Sequence, residues 1–300
     1  MKINPTPQFK YAYFPGCASK QLTGEYDHAT RLACEKLGIK LIDIPEFSCC
    51  GAGVLKEKNK DLSRVLNARN LAMAEEKDLD IMTICSTCVV NLRKDLFEIK
   101  NSNELKKEIN EHLKHLKLEF NGKHDVKHFL WVLEKDIGFE NIKKRLIRPL
   151  TGLKIATYYG CHIVRPSAIN GQHQNAENPE NFENFIKALG GIPVNLEGKT
   201  DCCGFHINFT DKKSSVKMSG KYLNTVKENK CDLIVTNCPF CHIQMDLYQS
   251  ESAKVLKKKL KIPIIHMSQL LCLALGIRPQ ELGFSRHIVK LPKKILNKFK

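Results

Sequence analysis

The chain has 300 residues, enough for two domains of ordinary size, and carries 48 Lys+Arg against 32 Asp+Glu, a formal charge of +16. No apolar run is long enough to cross a bilayer and Met1 to Lys10 holds no apolar signal core, so a cytoplasmic location is expected, in which thirteen cysteines are not a disulfide framework. The basic balance suits anionic lipid, an acidic protein, an anionic small molecule or nucleic acid, but no C2H2 spacing and no RNP-like aromatic run is present, so nucleic acid is set aside.

The elements repeat along the chain. Tyr11 to Cys17 (YAYFPGC) reads as a strand running into a loop, Asp27–Leu37 as a helix closed by Gly38, and Lys40–Ile44 as a second strand. The turn Cys49-Cys50-Gly51 follows. A periodic segment, Leu62–Glu76, and a strand, Asp80–Ile84, then deliver the loop Cys85-x-x-Cys88. Asn101 to Arg148 reads as a charged, helix-like connector, and its apolar part, Val126–Ile137, puts Trp131 on a packed face with Phe129 and Leu130. The order then begins again with Ile155 to Cys161 (IATYYGC), helix Asn181–Leu189 closed by Gly190, strand Pro193–Leu196 and the turn Cys202-Cys203-Gly204. Helix Ser215–Glu228, strand Asp232–Thr236 and Cys238-x-x-Cys241 complete the repeat.

This alternation predicts an α/β protein of two pseudo-symmetric cysteine-rich halves, residues 1–100 and 151–285, with a helical connector at 101–150 and a basic amphipathic tail at 286–300. In the tail, Ile288, Leu291, Ile295 and Phe299 make a helical apolar stripe among Lys290, Lys293, Lys294, Lys298 and Lys300, with Pro292 tolerable in a first turn. Such a stripe suits peripheral membrane contact on the cytoplasmic face, or docking on a partner.

Ten of the thirteen cysteines fall into one pattern written twice. Cys49 to Cys202, Cys85 to Cys238 and Cys88 to Cys241 are each 153 positions apart, and Cys17 and Cys161 open the two sets. Soft thiolates in such numbers select iron–sulfur clusters, zinc or copper(I), and five per half is one more than a tetrahedral zinc site takes. Gly16, Gly51, Gly160 and Gly204 adjoin the cysteines, where a missing Cβ lets backbone pass close to a bulky inorganic group. Cys85 and Cys238 precede helices, whose free N–H groups favour an anionic thiolate-bound centre. Cys34, Cys231 and Cys272 fall outside the register and read as buried structural thiols. His162 and His206 are the candidate catalytic proton donors, although they and His242 serve equally well as hydrogen-bond partners of sulfur.

YFPGC, SCCGAG and CSTC in the first half, YYGCH, DCCGFH and NCPFCHIQMD in the second, and the later IPIIHMSQLLCLALG carry a resemblance over nearly the whole chain. The chain resembles the cysteine-rich, Cys-Cys-Gly (CCG) domain of the B-type subunit of heterodisulfide reductase and of the related subunit in some succinate dehydrogenase/fumarate reductase complexes. The resemblance implies two adjacent iron–sulfur clusters of the non-cubane 4Fe-4S kind. Cys17, Cys49, Cys50, Cys85 and Cys88 would bind one, and Cys161, Cys202, Cys203, Cys238 and Cys241 the other, with a disulfide substrate between them. With no GxGxxG and no P-loop, electrons come from elsewhere, and flavoprotein and ferredoxin-like iron–sulfur subunits are the expected partners. Two activities fit the resemblance. One is electron exchange with a quinone or thiol pool in a succinate dehydrogenase/fumarate reductase-type complex, toward which charge and tail incline; the other is reduction of a CoM-CoB-type heterodisulfide to two thiols. A zinc-binding scaffold without redox function is the alternative from another class.

Overall fold

Short runs rich in Ile, Val, Tyr and Phe alternate with amphipathic helices, and parallel strands joined by helices are the economical way to bury them. A computed structural model describes residues 9–170 and 175–299. Strands β1 (Phe9–Phe14), β2 (Ile39–Asp43), β3 (Ile81–Thr83) and β4 (Val126–His128) form one sheet in the order β2-β1-β3-β4. Strands β5 (Lys154–Tyr158), β6 (Ile192–Val194), β7 (Leu233–Thr236) and β8 (Ile264–His266) form a second in the order β6-β5-β7-β8. All these pairs are parallel. β3 and β7 are buried along their whole length, as central parallel strands must be. The expected two α/β halves are therefore present, each with its strand order reversing between the first and third strands, where open parallel sheets leave a crevice at their carboxyl ends.

Residues 101–150, expected as a helical connector, contain helix Asn103–Lys114 but also β4, which pairs with β3 from Ile81↔Val126 to Thr83↔His128 and completes the first sheet. An apolar run such as VKHFLWVL does not distinguish a short buried strand from a helix, and the free edge of β3 settles it in favour of the strand. Trp131 is buried as expected, with the Arg93 guanidinium 5.6 Å from its ring centroid.

The tail departs from expectation. Helix Lys293–Leu296 and the 3-10 turn Asn297–Phe299 turn the stripe inward: Leu291, Ile295 and Phe299 are buried and only Ile288 is exposed. The Asp246 carboxylate accepts the backbone N–H groups of Ile288 and Val289 at 2.7 and 2.9 Å, and Lys294 reaches Asp232 at 3.3 Å, so the segment is tied to its own half. Lys300 and residues 1–8 of the N-terminal stretch lie outside the described residues. Cys34 and Cys272 are buried, but Cys231, in the turn before β7, is only half-buried, which corrects the expectation for that thiol.

The halves are locked by exchange of elements. Helix Met267–Ala274, after β8, packs on helix Gly24–Leu37 of the first half, with the Cys272 thiol donating to the Ala29 carbonyl at 3.0 Å. Tyr26 stacks on His266 with centroids 4.9 Å apart and meets the edges of His242 and His287. Burial holds His266 and His287 neutral, each lowered to about 3 from 6.5. Above pH 6.5 both the folded and the unfolded chain carry these rings neutral. Below it the unfolded chain takes up protons that the folded one refuses until near pH 3, so stability is lost across that window. Unfolding free energies from urea titrations at pH 7 and pH 5 under anaerobic conditions are expected to differ by about 2 kcal/mol for each histidine. The His287→Gln variant is expected to lose about half of that difference; a variant with the full wild-type slope would contradict the assignment.

Candidate metallocluster centre

β1, β3, β5 and β7 end, respectively, just before Cys17, Cys85, Cys161 and Cys238, so the parallel topology alone gathers four cysteines at the carboxyl ends of central strands. Cys85 and Cys238 are the N-caps of helices Ser86–Lys100 and Pro239–Leu247, the second with Pro239 at its first position. Their loops turn toward each other, and Cys85 Sγ lies 3.9 Å from Cys238 Sγ across the two halves. Within the first half Cys50 Sγ is 3.6 Å from Cys88 Sγ. Hydrogen-bonding contacts extend this into a line, Cys17 to Cys49, Cys50, Cys88 and Cys85, then across to Cys238, Cys241 and Cys203, with Cys161 and Cys202 paired beside it. All ten are free thiols, Cys17 and Cys49 exposed, Cys161 and Cys202 half-buried and the remainder buried.

Two glycines of each half are required by this arrangement. A Cβ at Gly16 or Gly160, both at positive φ, would stand 3.1 Å from Cys88 Sγ or 2.9 Å from Cys241 Sγ. At Gly51 and Gly204, again at positive φ, it would strike Ser63 Oγ at 2.6 Å and the Ser215 carbonyl at 2.7 Å. The third position of Cys-Cys-Gly is thus where the turn rests on the following helix, Lys60–Glu75 or Lys212–Glu228. The first turn is held further by Asn67 and Asn91, which both donate to the Cys50 carbonyl, and the second by Ser215 Oγ donating to Gly204 O at 2.8 Å. In the second half the Lys199 ammonium, buried, binds Glu183 at 2.9 Å and the Pro179 carbonyl at 2.7 Å. The backbone of Lys199 accepts from Tyr159 and Gly160 N–H groups, which aligns the loops that carry Cys161 and Cys202.

The sulfurs are not electrically equivalent. A hydrogen bond from Cys17 draws Cys49 down to about 2 while Cys17 itself is driven up, and Cys161 likewise draws Cys202 down to about 6. Burial opposes ionisation of Cys238, yet hydrogen bonds from Cys241 and Cys85 outweigh it and hold that thiol low. Each half therefore offers thiolate, the form that binds metal. Among the described residues no group of three or more His, Cys, Asp or Glu forms a cage for a single metal ion. Five convergent sulfurs per half, strung as neighbours rather than around one point, fit a polynuclear iron–sulfur assembly as donor set.

Beside the sulfur line opens a cleft of ≈ 790 Å³, lined from the first half by Gly53, Val54, Lys56, Thr87 and Lys94 and from the second by His162, Arg165, Phe205, His206, Phe209 and Phe240 among others. His162 and His206 both reach it, ring centroids 5.6 Å apart, and desolvation lowers the pKa of each. Thr87 Oγ1 lies 2.9 Å from His162 Nδ1, and His206 Nε2 is buried without a hydrogen-bond partner among the described residues. His242 points away, toward Asp246 at 3.5 Å and His287, and does not line the cleft.

Sequence reasoning passed over several residues here. His128 and His266, at the ends of β4 and β8, send Nε2 to the Asn237 carbonyl at 2.9 Å and the Ile84 carbonyl at 3.2 Å, each into the other half. The signal was an apolar strand ending in His before a helix, VKHF and IIHM, in both halves. Thr87 and Phe240, 153 apart, occupy the same place in the two Cys-x-x-Cys loops with different chemistry.

Two like α/β units that pool free thiols at facing sheet ends define a duplicated cysteine-rich protein. The chain belongs to the CCG cysteine-rich domain family, whose model matches residues 11–93 and 155–246. It is 37% identical over 286 residues, 95% of this chain and 99% of the relative, to the 8-methylmenaquinol:fumarate reductase membrane anchor subunit of Wolinella succinogenes. It is 34% identical, over 94% of each chain, to the B-type subunit of the ferredoxin/F420H2-dependent CoB-CoM heterodisulfide reductase of Methanosarcina acetivorans. In fold it is similar to a hypothetical protein of Helicobacter pylori, TM-score 0.75 at 17% identity, over 97% of this chain and 54% of that one.

A methyl group at Gly204 meets both the positive φ and the Ser215 backbone. Gly204→Ala is expected to cost about 3 kcal/mol, read as a lowered denaturant midpoint, whereas Gly152→Ala, where a Cβ meets nothing, is expected to cost about 1 kcal/mol from φ alone. Equal losses at the two sites would remove the packing explanation.

Proposed function

We propose that this chain is the iron–sulfur redox subunit of a multisubunit oxidoreductase, exchanging electrons with a quinone or thiol pool in the manner of the succinate dehydrogenase/fumarate reductase CCG subunit. The observation that carries the reading is the 3.9 Å approach of Cys85 and Cys238 beside the cleft, which makes one site of two sulfur quintets. In it Cys17, Cys49, Cys50, Cys85 and Cys88 would hold one cluster, and Cys161, Cys202, Cys203, Cys238 and Cys241 the second, both of the non-cubane 4Fe-4S kind. Bound there, two such groups supply one electron each, the pair that a quinone/quinol or disulfide/dithiol couple requires.

The chain's own side chains manage protons and substrate. Both couples exchange two protons with two electrons, and two imidazoles face the cleft. Desolvation favours the neutral rings of His162 and His206, so each is ready to accept a proton that a substrate releases, and delivers one in the reverse direction only after taking it up. Thr87 fixes the ring of His162 through Nδ1. Phe205 stacked on Phe240, centroids 4.3 Å apart, gives one wall a flat apolar surface that keeps water from the reacting atoms. Lys56, Lys58, Lys94 and Arg165 on the lining support the second reading, a CoM-CoB-type heterodisulfide, through charge complementarity with anionic thiols. Partner subunits carrying flavin and ferredoxin-like clusters complete the electron path in either reading.

Protein purified without oxygen is expected to be brown, with iron and acid-labile sulfide; Cys85→Ser or Cys238→Ser is expected to lower iron by roughly half, and Cys34→Ser to leave it unchanged. His162→Gln and His206→Gln are expected to keep their iron and lose about 10² in kcat in the assembled complex. Turnover of fumarate with a quinol analogue supports the first reading and turnover of a heterodisulfide the second. Colourless protein, zinc-loaded or metal-free, would defeat both.

A further inference from the structure

We propose that the mouth of the cleft is a membrane-docking face, on which Val54 and Phe209 enter the outer layer of an anionic bilayer while lysines at the rim meet its head groups. The proposal rests on the quinone reading in one respect only: a lipid-soluble substrate reaches the site without crossing water if the mouth opens on the bilayer. Val54 and Phe209 are the most exposed large apolar side chains among the described residues, at 73% and 77%, and both line the same cleft. Each follows a Cys-Cys-Gly turn, Val54 at the start of helix Val54–Lys58 and Phe209 at the end of the 3-10 turn Phe205–Phe209, so the two halves contribute one apolar tip each. Isolated apolar side chains on a surface are ordinary; two that line one cleft are not scattered singly.

The apolar surface continues inward. The Phe209 ring lies 6.0 Å from Phe205, which stacks on Phe240, so aromatic carbon runs from the exposed tip to the wall of the site. The charge at the lining is Lys56, Lys58, Lys94 and Arg165 against Glu57 alone. Arg165 is paired with Glu177 at 3.2 Å and Lys94 approaches Glu98 at 3.9 Å, while Lys58 stands exposed beside Val54. Exposed Lys213 follows Phe209 by four positions, with Lys212 paired to Glu251 at 2.9 Å and exposed Asp211 capping the helix, in a chain that is basic overall. Apolar tips within a cationic rim are the arrangement of side chains that settle at the boundary between head groups and acyl chains. The tail does not supply this surface, because Leu291, Ile295 and Phe299 are taken up by the core.

The test is anaerobic flotation of the full chain with vesicles of phosphatidylcholine containing about one third phosphatidylglycerol, and with phosphatidylcholine alone. Binding to the anionic vesicles is expected, weakened at high salt. The double variant Val54→Ser/Phe209→Ser is expected to bind at least about tenfold more weakly. Lys58→Gln/Lys213→Gln is expected to lose the preference for anionic lipid, and Lys293→Gln/Lys294→Gln/Lys298→Gln to change binding by less than about twofold. Both substituted tips are exposed, and unchanged melting and iron content of the variants verify that the fold is intact. Absence of vesicle binding, wild-type binding by the serine variant, or loss of binding only in the tail variant would overturn the proposal. A face made for a partner protein gives the first of these results. Iron and sulfide measured on the same samples report separately on the cluster reading, so either can fail without the other.

Discussion

The molecule is organised around one constraint: the carboxyl ends of β3 and β7 must meet. Strand ends do not normally approach head-on, since their carbonyls need partners that the sheet no longer supplies. Here the partners are exchanged. His128 serves Asn237 O and His266 serves Ile84 O, the carbonyls immediately before Cys238 and Cys85, and Ser86 Oγ donates to the Asn237 side chain at 3.0 Å. The same histidines cap the helices that follow them, Nδ1 accepting from Leu130 N–H and Ser268 N–H. One ring thus ends a strand, begins a helix and crosses to the other half. Both rings are fully buried, and the unfavourable desolvation of His266 is offset by the contact it makes possible between the two sulfur sets.

Duplication gives the site two similar sides, and the side chains then make them different. His206 has Gly53 as its counterpart and Phe240 has Thr87, each 153 positions away. Gly53 is not an empty place: a Cβ there would lie 3.4 Å from His206 Nδ1, so the small residue on one side makes room for the ring on the other. The first half contributes lysines and a hydroxyl, the second both imidazoles and the aromatic wall. A symmetric cleft would bind a substrate in two equivalent orientations; this one distinguishes its ends.

Much of this was legible in the residues, because the repeated cysteines and the glycines beside them are held by backbone geometry in which an added Cβ would collide with a neighbour. The register of 153 relates four cysteines of each half, and the strand-then-cysteine pattern adds Cys17 and Cys161. β4 was not legible, since three residues carry no period and only the edge of β3 selects the strand. Neither was the direction of the tail stripe. An amphipathic pattern states that one face is apolar, not whether lipid, partner or the chain's own core covers it, and Asp246, far away in sequence, decides by fixing Ile288 and Val289. Nor was the direction of His242 legible: adjacency to Cys241 on a helix points a side chain about a quarter turn away from its neighbour, here toward Asp246 and His287.

Burial of the tail stripe bears on how the chain meets the rest of its complex. No helix among the described residues is long and apolar enough to cross a membrane, and the stripe most suited to lie on one is consumed internally. What remains at the surface is distributed unevenly. The first quintet exposes Cys17 and Cys49 beside Lys20 and Leu22, while the second keeps Cys161 and Cys202 half covered. Electron transfer falls steeply with distance, so sulfur at the surface marks the shorter route for a redox partner; Cys17 lies on a strand-end loop that does not line the cleft, while Cys49 shares its loop with Ala52 and Gly53, which do. Two separate openings, one at exposed thiols and one between the halves, allow electrons and substrate to arrive from different directions, as a protein placed between an electron-carrying partner and a substrate pool requires.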